Sequence, residues 1–403
     1  MIDLIGQQSP AVSELFYSAS QIMNILFLDQ SGKPGGAELC LLDVALPYRD
    51  RCLVGLFADG SFRELLEQQG IPVQVLTGQS IQVQKDSNLL KGLNSLGSLL
   101  PLIRQVTQLS REYDVIYANT QKALVVGAIA SLLARRPLVY HLHDILSTAH
   151  FSPTNLRLAI TLANRFASLI IANSNATQTA AIAAGVRAEK IQVVYNGFNL
   201  KIYQALNASA TQIRQQLDLK NCFVVGHFSR LSPWKGQHIL IDTLKQCPDE
   251  VVAVFVGDAL FGEQAYVEQL QHQVKQLGLQ HRIRFLGFRS DIPQLMASCD
   301  LVAHTSIAPE PFGRVIVEAM LCGTPVVAAS EGGAMELVEP DKTGWLSPPG
   351  DSEKLAAVIN RCREQPEQAR ELAHHAQLQA SQRFELSAIN QQIDKLLHQV
   401  VSK

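Results

Sequence analysis

Two glutamates, Glu310 and Glu318, stand with seven residues between them, and the intervening Pro311 and Gly313 predict a turn before a helix. A helix that begins there offers unpaired backbone N–H groups and the positive end of its dipole, which suits a diphosphate. Glu318 then lies about 7.5 Å along the helix. Because carboxylates accept hydrogen bonds from sugar hydroxyls, the segment predicts a diphosphate site with a carboxylate on either side.

The same segment also has a purely structural interpretation. Glu318 lies one helical turn after Arg314, and ion pairs at this spacing are common and weak. In this interpretation Glu310 is a solvated loop charge. The spacing alone fits both interpretations equally well.

Two cations, Arg230 and Lys235, flank Pro233 directly after a predicted strand. A planar guanidinium and an ammonium that converge from one turn can bind a diphosphate, although two solvated loop charges would give the same pattern. The chain has no Asp-x-Asp pair. Together these features indicate that protein cations, rather than Mg²⁺ or Mn²⁺, stabilise a leaving group. Neither a metal nor a cofactor is therefore expected.

A His-x-His pair stands at the end of another predicted strand. Alternation along a strand places His141 and His143 on one face. Such a pair can begin a metal site, which makes a metal-dependent hydrolase an alternative, but that site needs further ligands. His227, His238 and His304 show no matching pattern. A structural role for the pair is also open.

Two glycine-containing loops could border a ligand. Gly35 and Gly36 link the first predicted strand to the first helix, and glycine permits close backbone approach. The pair is common in turns without function and is not a GxGxxG fingerprint. The second loop, at residues 287–291, carries Arg289.

The elements that must position these residues follow a regular rhythm of a short apolar run, a turn and a helical stretch. Seven such runs occur between residues 22 and 195 and five between 222 and 329, and they are rich in Val and Ile. This alternation predicts parallel sheets covered by helices. The polar stretch at 199–221 predicts a linker with a short helix. Ligands bind at the carboxyl ends of strands in such sheets.

Length and composition restrict the class of protein. The 403 residues are enough for two domains, and 47% are hydrophobic. A net charge of −2 does not favour nucleic-acid binding. Seven cysteines without a CxxC pair indicate reduced thiols, and neither a secretory signal nor a membrane-spanning run is found. We therefore expect a cytoplasmic protein.

An apolar stretch at residues 89–109 contains Lys91 and Arg104. Its spacing predicts a helix packed on the first sheet, although Gly97 and Pro101 weaken a continuous helix. The alternative is a surface with weak peripheral contact to the inner face of a membrane.

The motifs together resemble the signature of the family 4 retaining glycosyltransferases, which have the GT-B fold. The resemblance rests on Glu-Pro-Phe-Gly…Glu-Ala at 310–319, Gly-Thr-Pro-Val-Val at 323–327 and Gly-Gly-Ala-Met-Glu-Leu-Val at 332–338. It covers residues 22–400 and is strongest over 223–350. It implies an α/β fold with two Rossmann-like, doubly wound domains that face a central cleft.

The resemblance also implies a role for each charged motif. Glu318 should bind the donor ribose, and Glu310 should bind hydroxyls of the transferred sugar. Arg230 and Lys235 should neutralise the leaving nucleoside diphosphate. His143 should face the donor sugar across the cleft.

Further donor contacts follow from the same resemblance. Backbone groups of four consecutive residues should contact the sugar and diphosphate: Phe312, Gly313, Arg314 and Val315. The loop with Gly35 and Gly36 should close on the donor, and Arg289 should border the nucleobase. Ser229 replaces the family's usual glycine, which leaves both cations in register.

The resemblance implies an enzyme that transfers a sugar with retention and without a metal. The donor is a nucleotide sugar, with UDP favoured over GDP, and the acceptor is a glycan, a lipid-linked glycan or a small molecule. Residues 1–200 should form the acceptor domain, 201–385 the donor domain, and a helix at 386–403 should pack back on the first. A GT-B epimerase and a non-catalytic sugar-binding homologue are the alternatives, and no oligomeric state is indicated.

Overall fold

The computed structural model describes residues 23–76, 93–148, 151–259 and 262–402. The first domain contains a parallel sheet with strand order β3-β2-β1-β4-β5-β6-β7. Its strands are β1 (Ile25–Asp29), β2 (Cys52–Leu56), β3 (Val73–Val75), β4 (Val115–Ala118), β5 (Leu138–Leu142), β6 (Ala167–Ala172) and β7 (Ile191–Val193).

Helices cover both faces of this sheet. They are α1 (Gly36–Ala45), α2 (Ser61–Gln68), α3 (Leu93–Ser110), α4 (Gln121–Ala134), α5 (Pro153–Phe166) and α6 (Asn175–Ala183), with 3₁₀ turns at Leu46–Arg51 and Ala188–Lys190. Alternate residues of β1 enter different cores: Ile25 and Phe27 pack on one face, and Leu26 and Leu28 on the other. Burial on both faces explains the continuous apolar runs.

The second domain contains a parallel sheet with strand order β10-β9-β8-β11-β12-β13. Its strands are β8 (Phe223–Phe228), β9 (Val251–Val256), β10 (Ile283–Phe285), β11 (Leu301–His304), β12 (Val326–Ala329) and β13 (Trp345–Ser347). Sequence analysis missed β13, because its Trp-Leu-Ser sequence has no Val or Ile, unlike the equally short strands β3, β7 and β10. Two doubly wound domains confirm the predicted fold class.

The helices of the second half alternate with these strands and then form a C-terminal series. They are α7 (Asn207–Gln216), α8 (Gln237–Leu244), α9 (Gln264–Gln276), α10 (Ile292–Ala297), α11 (Arg314–Leu321), α12 (Ala334–Leu337), α13 (Ser352–Glu364), α14 (Pro366–Arg383) and α15 (Leu386–Val401), with 3₁₀ turns at Leu200–Tyr203 and Pro233–Lys235. Ile389, Ile393 and Leu397 of α15 pack into the core of the first domain. Tyr48 of that domain donates a hydrogen bond to Asp394 at 2.7 Å.

Helix α3 differs from the expectation that Pro101 would weaken it. The helix continues through Pro101, and Leu102, Ile103 and Val106 are buried in the first-domain core. Packing of this face stabilises the helix against the lost backbone hydrogen bond. The start of the apolar stretch, with Lys91, lies outside the described residues.

Candidate active site

Glu310 lies in the loop between β11 and α11, at the carboxyl end of the second sheet, and is 9% exposed. Its Oε2 accepts hydrogen bonds from Lys235 Nζ at 2.6 Å and from His304 Nε2 and Ser306 Oγ at 3.1 Å each. Burial opposes ionisation, but the charge of Lys235 and the hydrogen bonds from His304 and Lys235 together outweigh it and hold the pKa of Glu310 well below its usual range. Glu310 is therefore a buried carboxylate, and the interpretation as a solvated loop charge is wrong.

Neighbouring strand ends bring these partners together. His304 ends β11, and Lys235 follows the adjacent strand β8 in a short 3₁₀ turn. Thr305 Oγ1 ties the two loops by donating to the carbonyls of Lys235 and Gly236 at 3.0 and 2.9 Å. Sequence analysis missed His304 and Ser306 as partners of Glu310. Their position at the carboxyl end of a predicted strand was the available signal.

Arg230 lies on the other side of the same turn and has its own carboxylate. Its Nε lies 3.4 Å from Glu263 Oε2, and Ser232 Oγ donates to the other oxygen of Glu263 at 2.5 Å. Glu263 was not found from the sequence, because it follows a different strand, β9. Arg230 and Lys235 thus flank one turn, each held by a separate acid.

Arg314 and Glu318 lie on α11, which follows Gly313. Gly313 adopts a left-handed φ of 98°, and no side chain caps the helix. Arg314 Nε lies 3.5 Å from Glu318 Oε1, so the ion pair of the structural interpretation exists. Arg314 also forms an ion pair across the cleft with Asp43 of α1, with Nη1 lying 3.3 Å from Oδ2. Burial raises the pKa of Asp43 to about 6 and also raises that of Glu318, against the effect of Arg314.

The remaining residues of this loop are held by packing. The Phe312 ring is 2% exposed and stacks on Phe198, with ring centroids 6.4 Å apart. Val315 also packs on the second-domain core. The Phe312 side chain is therefore held in the interior, which leaves its backbone groups for ligand contact, whereas Val315 is only partly buried.

Gly35 and Gly36 place the first loop of the chain opposite this helix. A Cβ at Gly36 would lie 3.7 Å from Cδ of Arg314, so the two loops approach closely. Arg289 lies farther along the second domain and pairs with Asp291 at 2.6 Å. The described contacts do not bring Arg289 to the Glu310 cluster.

His143 and His141 lie side by side, as strand alternation predicts, with ring centroids 4.0 Å apart. His143 Nε2 lies 2.8 Å from Asn119 Oδ1, and His141 Nδ1 lies 2.7 Å from the Tyr117 hydroxyl. Burial, and then Arg314, lowers the pKa of His143 to about 3, so its imidazole is neutral. Asn119 was not found from the sequence, because an asparagine after a strand has no distinctive spacing.

Cys40 lies beside this pair, and one ligand atom from each of Cys40, His141 and His143 lies within 4.8 Å of the others. A thiolate and two imidazoles suit Zn²⁺. However, burial raises the pKa of Cys40 to about 12 despite the nearby Arg314. The fixed charge of Arg314 also opposes a further cation. These observations do not favour the metal-dependent hydrolase, and a metal-free site stays our prediction.

Contacts across the cleft tie the loop that contains Pro311 to the first domain. Ser174 and Thr177 at the start of α6 donate to the carbonyl of Pro311. Glu336 accepts hydrogen bonds from the backbone N–H groups of Asn175 and Ala176 at 3.0 and 2.6 Å. A carboxylate at a helix N-terminus is a favourable arrangement. Both sides of the cleft are therefore held in register.

Comparison with known proteins gives matches to both halves of the chain. The family profile described as Glycosyl transferases group 1 matches residues 209–379, and that of Glycosyltransferase Family 4 matches residues 34–202. Crystal structures of Anabaena HepE share 64–65% sequence identity, with TM-scores up to 0.88, and cover 93% of this chain and 99% of HepE. HepE was solved in complex with UDP, with UDP and glucose, and with UDP-glucose.

Curated relatives are more distant. Spore coat protein SA of Bacillus subtilis is 30% identical over 48% of this chain and 55% of that protein. The D-inositol 3-phosphate glycosyltransferase of Corynebacterium glutamicum is 33% identical over 43% of this chain and 44% of that protein. The chain thus spans about half the length of these two relatives. With the HepE match along the whole fold, the chain belongs to the family 4 glycosyltransferases, enzymes of the GT-B fold.

Proposed function

We propose that this glycosyltransferase moves a glucosyl or closely related sugar from a UDP-sugar to its acceptor, with retention of anomeric configuration and without a metal. The observation that carries the proposal is the Lys235–Glu310 pair at the carboxyl end of the second sheet. The pair places a cation that can bind a phosphate beside a carboxylate that can accept a hydrogen bond from a sugar hydroxyl. The complexes of HepE with UDP and UDP-glucose support the choice of donor.

In this proposal the leaving diphosphate is stabilised by Arg230 and Lys235. An ammonium group has three hydrogen-bond donors, so Lys235 can keep Glu310 while it binds a phosphate oxygen. Glu310 and His143 orient the sugar, and Glu318 binds the ribose. Electrostatic stabilisation of this kind supplies much of the rate enhancement in comparable enzymes.

In the proposed scheme, which uses no covalent glycosyl-enzyme, retention follows because the acceptor oxygen attacks the face from which the phosphate leaves. The bond from the anomeric carbon to the phosphate oxygen breaks as the bond to the acceptor oxygen forms. The acceptor proton passes to the departing phosphate oxygen. This scheme needs no covalent nucleophile from the protein.

A thermal-shift panel with UDP, GDP, UDP-glucose and other UDP-sugars tests the donor. A ligand that binds only the folded state at one hundred times its Kd stabilises it by about 2.7 kcal/mol. UDP-glucose should raise the unfolding midpoint, and GDP should not. A larger shift with GDP, or none with any uridine nucleotide, would overturn the proposed donor. Proton NMR of the glycoside product then reads its anomeric configuration.

We further propose weak peripheral binding to anionic membranes through α3, α4 and α5, which would present a lipid-linked acceptor. All charged residues on these helices and the turn after α4 are basic: Arg104, Lys122, Arg135, Arg136, Arg157 and Arg165. Large apolar side chains are exposed on the same helices: Leu100, Leu132, Leu133 and Leu158. Cations and apolar side chains together favour an anionic interface. Among the described helices, none has the length and apolar character that a membrane crossing requires.

Co-sedimentation with anionic vesicles at low salt tests this surface. The Arg104→Glu/Arg157→Glu variant should pellet less than the wild type. A matched charge reversal on the second domain, Lys354→Glu/Arg370→Glu, should pellet like the wild type. If the wild type stays in the supernatant, or all three proteins pellet equally, these helices do not contact the membrane.

A further inference from the structure

A buried polar chain crosses the carboxyl ends of three neighbouring strands and ends at His143. Asp29 ends β1 and is 0% exposed, and Asn119 follows β4 and is 1% exposed. Asn119 Nδ2 donates to Asp29 Oδ2 at 2.7 Å and to the Ala37 carbonyl at 3.1 Å. Asn119 Oδ1 lies 2.8 Å from His143 Nε2. Strands β1, β4 and β5 are adjacent in the sheet, so the chain follows from strand order.

The orientation of the Asn119 amide follows from its partners. The carbonyl of Ala37 can only accept a hydrogen bond, so the NH₂ group must face it. Burial raises the pKa of Asp29 to about 6, and the ionised carboxylate that prevails above that pH also only accepts. The amide oxygen then faces His143 and can only accept. His143 Nε2 must therefore carry the proton, and in a neutral imidazole Nδ1 is left as a bare acceptor.

Asp29 itself is held in place from the other side. Its Oδ1 accepts the backbone N–H of Ser31 at 2.8 Å. Ser31 and Ala37 both belong to the segment that carries Gly35 and Gly36. The same amide thus fixes the His143 ring and anchors the loop that lies opposite Arg314.

We infer that Asn119 is a positioning residue, oriented by Asp29, which fixes the Nε2–H tautomer of His143 so that Nδ1 accepts a hydrogen bond from a hydroxyl of the donor sugar. The inference rests on the proposed role of His143 at the donor sugar, and it adds which partner donates the hydrogen bond. Among the described residues, none makes a hydrogen bond to Nδ1 of His143, and the side chain is partly exposed. A sugar that lacks this hydroxyl leaves a bare nitrogen without a donor, which weakens binding.

Nitrogen-15 NMR of histidine-labelled wild-type protein reads the tautomer directly. The His143 signals are assigned by their loss in His143→Gln. We expect a protonated Nε2 and an unprotonated Nδ1. A protonated Nδ1 would overturn the inference, whatever the enzyme does with UDP-glucose. Absence of UDP-glucose turnover by the wild type would instead overturn the proposed function, so the two failures are distinguishable.

An exchange of groups tests the positioning role. Asn119→Asp places a second carboxylate against Asp29 and should raise the KM for UDP-glucose about tenfold, with a smaller change in kcat. In Asp29→Asn/Asn119→Asp the amide at position 29 donates to the carboxylate at position 119, which still accepts from His143 Nε2. This double variant should recover part of the lost affinity, because the bond to the Ala37 carbonyl is not restored.

Asn164→Asp is the matched control. The Asn164 amide is also bonded at both ends: Nδ2 donates to the Gly185 carbonyl and Oδ1 accepts from the Arg187 N–H, each at 2.9 Å. Asn164 lies far from the cleft. The substitution should leave KM unchanged. An unchanged KM in Asn119→Asp, or a double variant no better than Asn119→Asp, would show that Asn119 does not position His143. If Asn119→Asp does not fold, the tautomer of the wild type and the kinetics of the double variant still show whether Asn119 positions His143.

Discussion

Replacing Lys235 with methionine tests whether its pair with Glu310 holds a buried charge. The two side chains are 15% and 11% exposed, and Nζ lies 2.6 Å from Oε2. Methionine keeps an apolar chain beside Trp234, whose ring lies 3.9 Å from Nζ. The substitution therefore removes the positive charge and keeps most of the packing against Trp234.

The expected loss of unfolding free energy in Lys235→Met depends on the remaining partners of Glu310. Breaking a buried ion pair by removing one partner costs about 3–5 kcal/mol. His304 and Ser306 still bind the carboxylate, so the lower end applies. For a domain of this size, 3 kcal/mol corresponds to a fall of roughly 6–12 °C in the unfolding midpoint.

The loss of unfolding free energy in Lys235→Met should increase with pH. In the wild type the pKa of Glu310 is depressed below its ordinary 4.5, so its stabilising contribution is present above pH 4.5 and is lost as pH falls through the depressed pKa. Without Lys235 one of the groups that oppose burial is gone, so the pKa of Glu310 rises relative to the wild type, and the folded variant takes up a proton at a higher pH than the wild type does. The difference in unfolding free energy between wild type and variant should therefore be larger at pH 7 than at pH 4.5.

The assay is thermal unfolding at both pH values, combined with UDP release from UDP-glucose. Lys235→Met/Glu310→Gln should recover most of the stability, because no buried charge remains, while UDP release stays lost in both variants. Lys342→Met breaks an exposed pair with Glu339 at 2.7 Å and should change the midpoint little. If the double variant is no more stable than Lys235→Met, or the cost does not vary with pH, the buried-charge argument is wrong.

Three further outcomes are expected. Transfer should persist in excess EDTA because Arg230 and Lys235 carry the leaving-group charge; a loss that Mg²⁺ or Mn²⁺ restores contradicts this. Asp43→Asn should raise the KM for UDP-glucose about tenfold, since a charge-assisted bond to Arg314 contributes about 1.5–3 kcal/mol, and an equal KM in initial-rate measurements removes the pair from donor binding. Glu336→Gln should lower the unfolding free energy in urea by about 1 kcal/mol, because a helix cap is weakened; wild-type stability would show that the cap is dispensable.

The sequence determined the architecture because strands and helices follow local periods. Buried parallel strands read as short Val- and Ile-rich runs, and the turn residues between them mark the carboxyl ends where ligands bind. The two glutamates, the paired cations and the His-x-His were visible for the same reason, since each lies within a single loop or strand end. The short strand Trp345–Ser347 was missed because it has no Val or Ile, whereas three equally short strands that carry them were found.

Tertiary structure alone decided which of these residues meet. Glu310 receives Lys235, which is 75 residues earlier in the chain, because β8 and β11 are neighbours in the sheet. Arg314 reaches Asp43, 271 residues earlier, because the two domains face each other. Spacing along the chain carries no information on such contacts, since they depend on strand order and on how the two domains pack. The chain from Asp29 to His143 has the same origin, because it joins three strands that are adjacent only in the folded sheet.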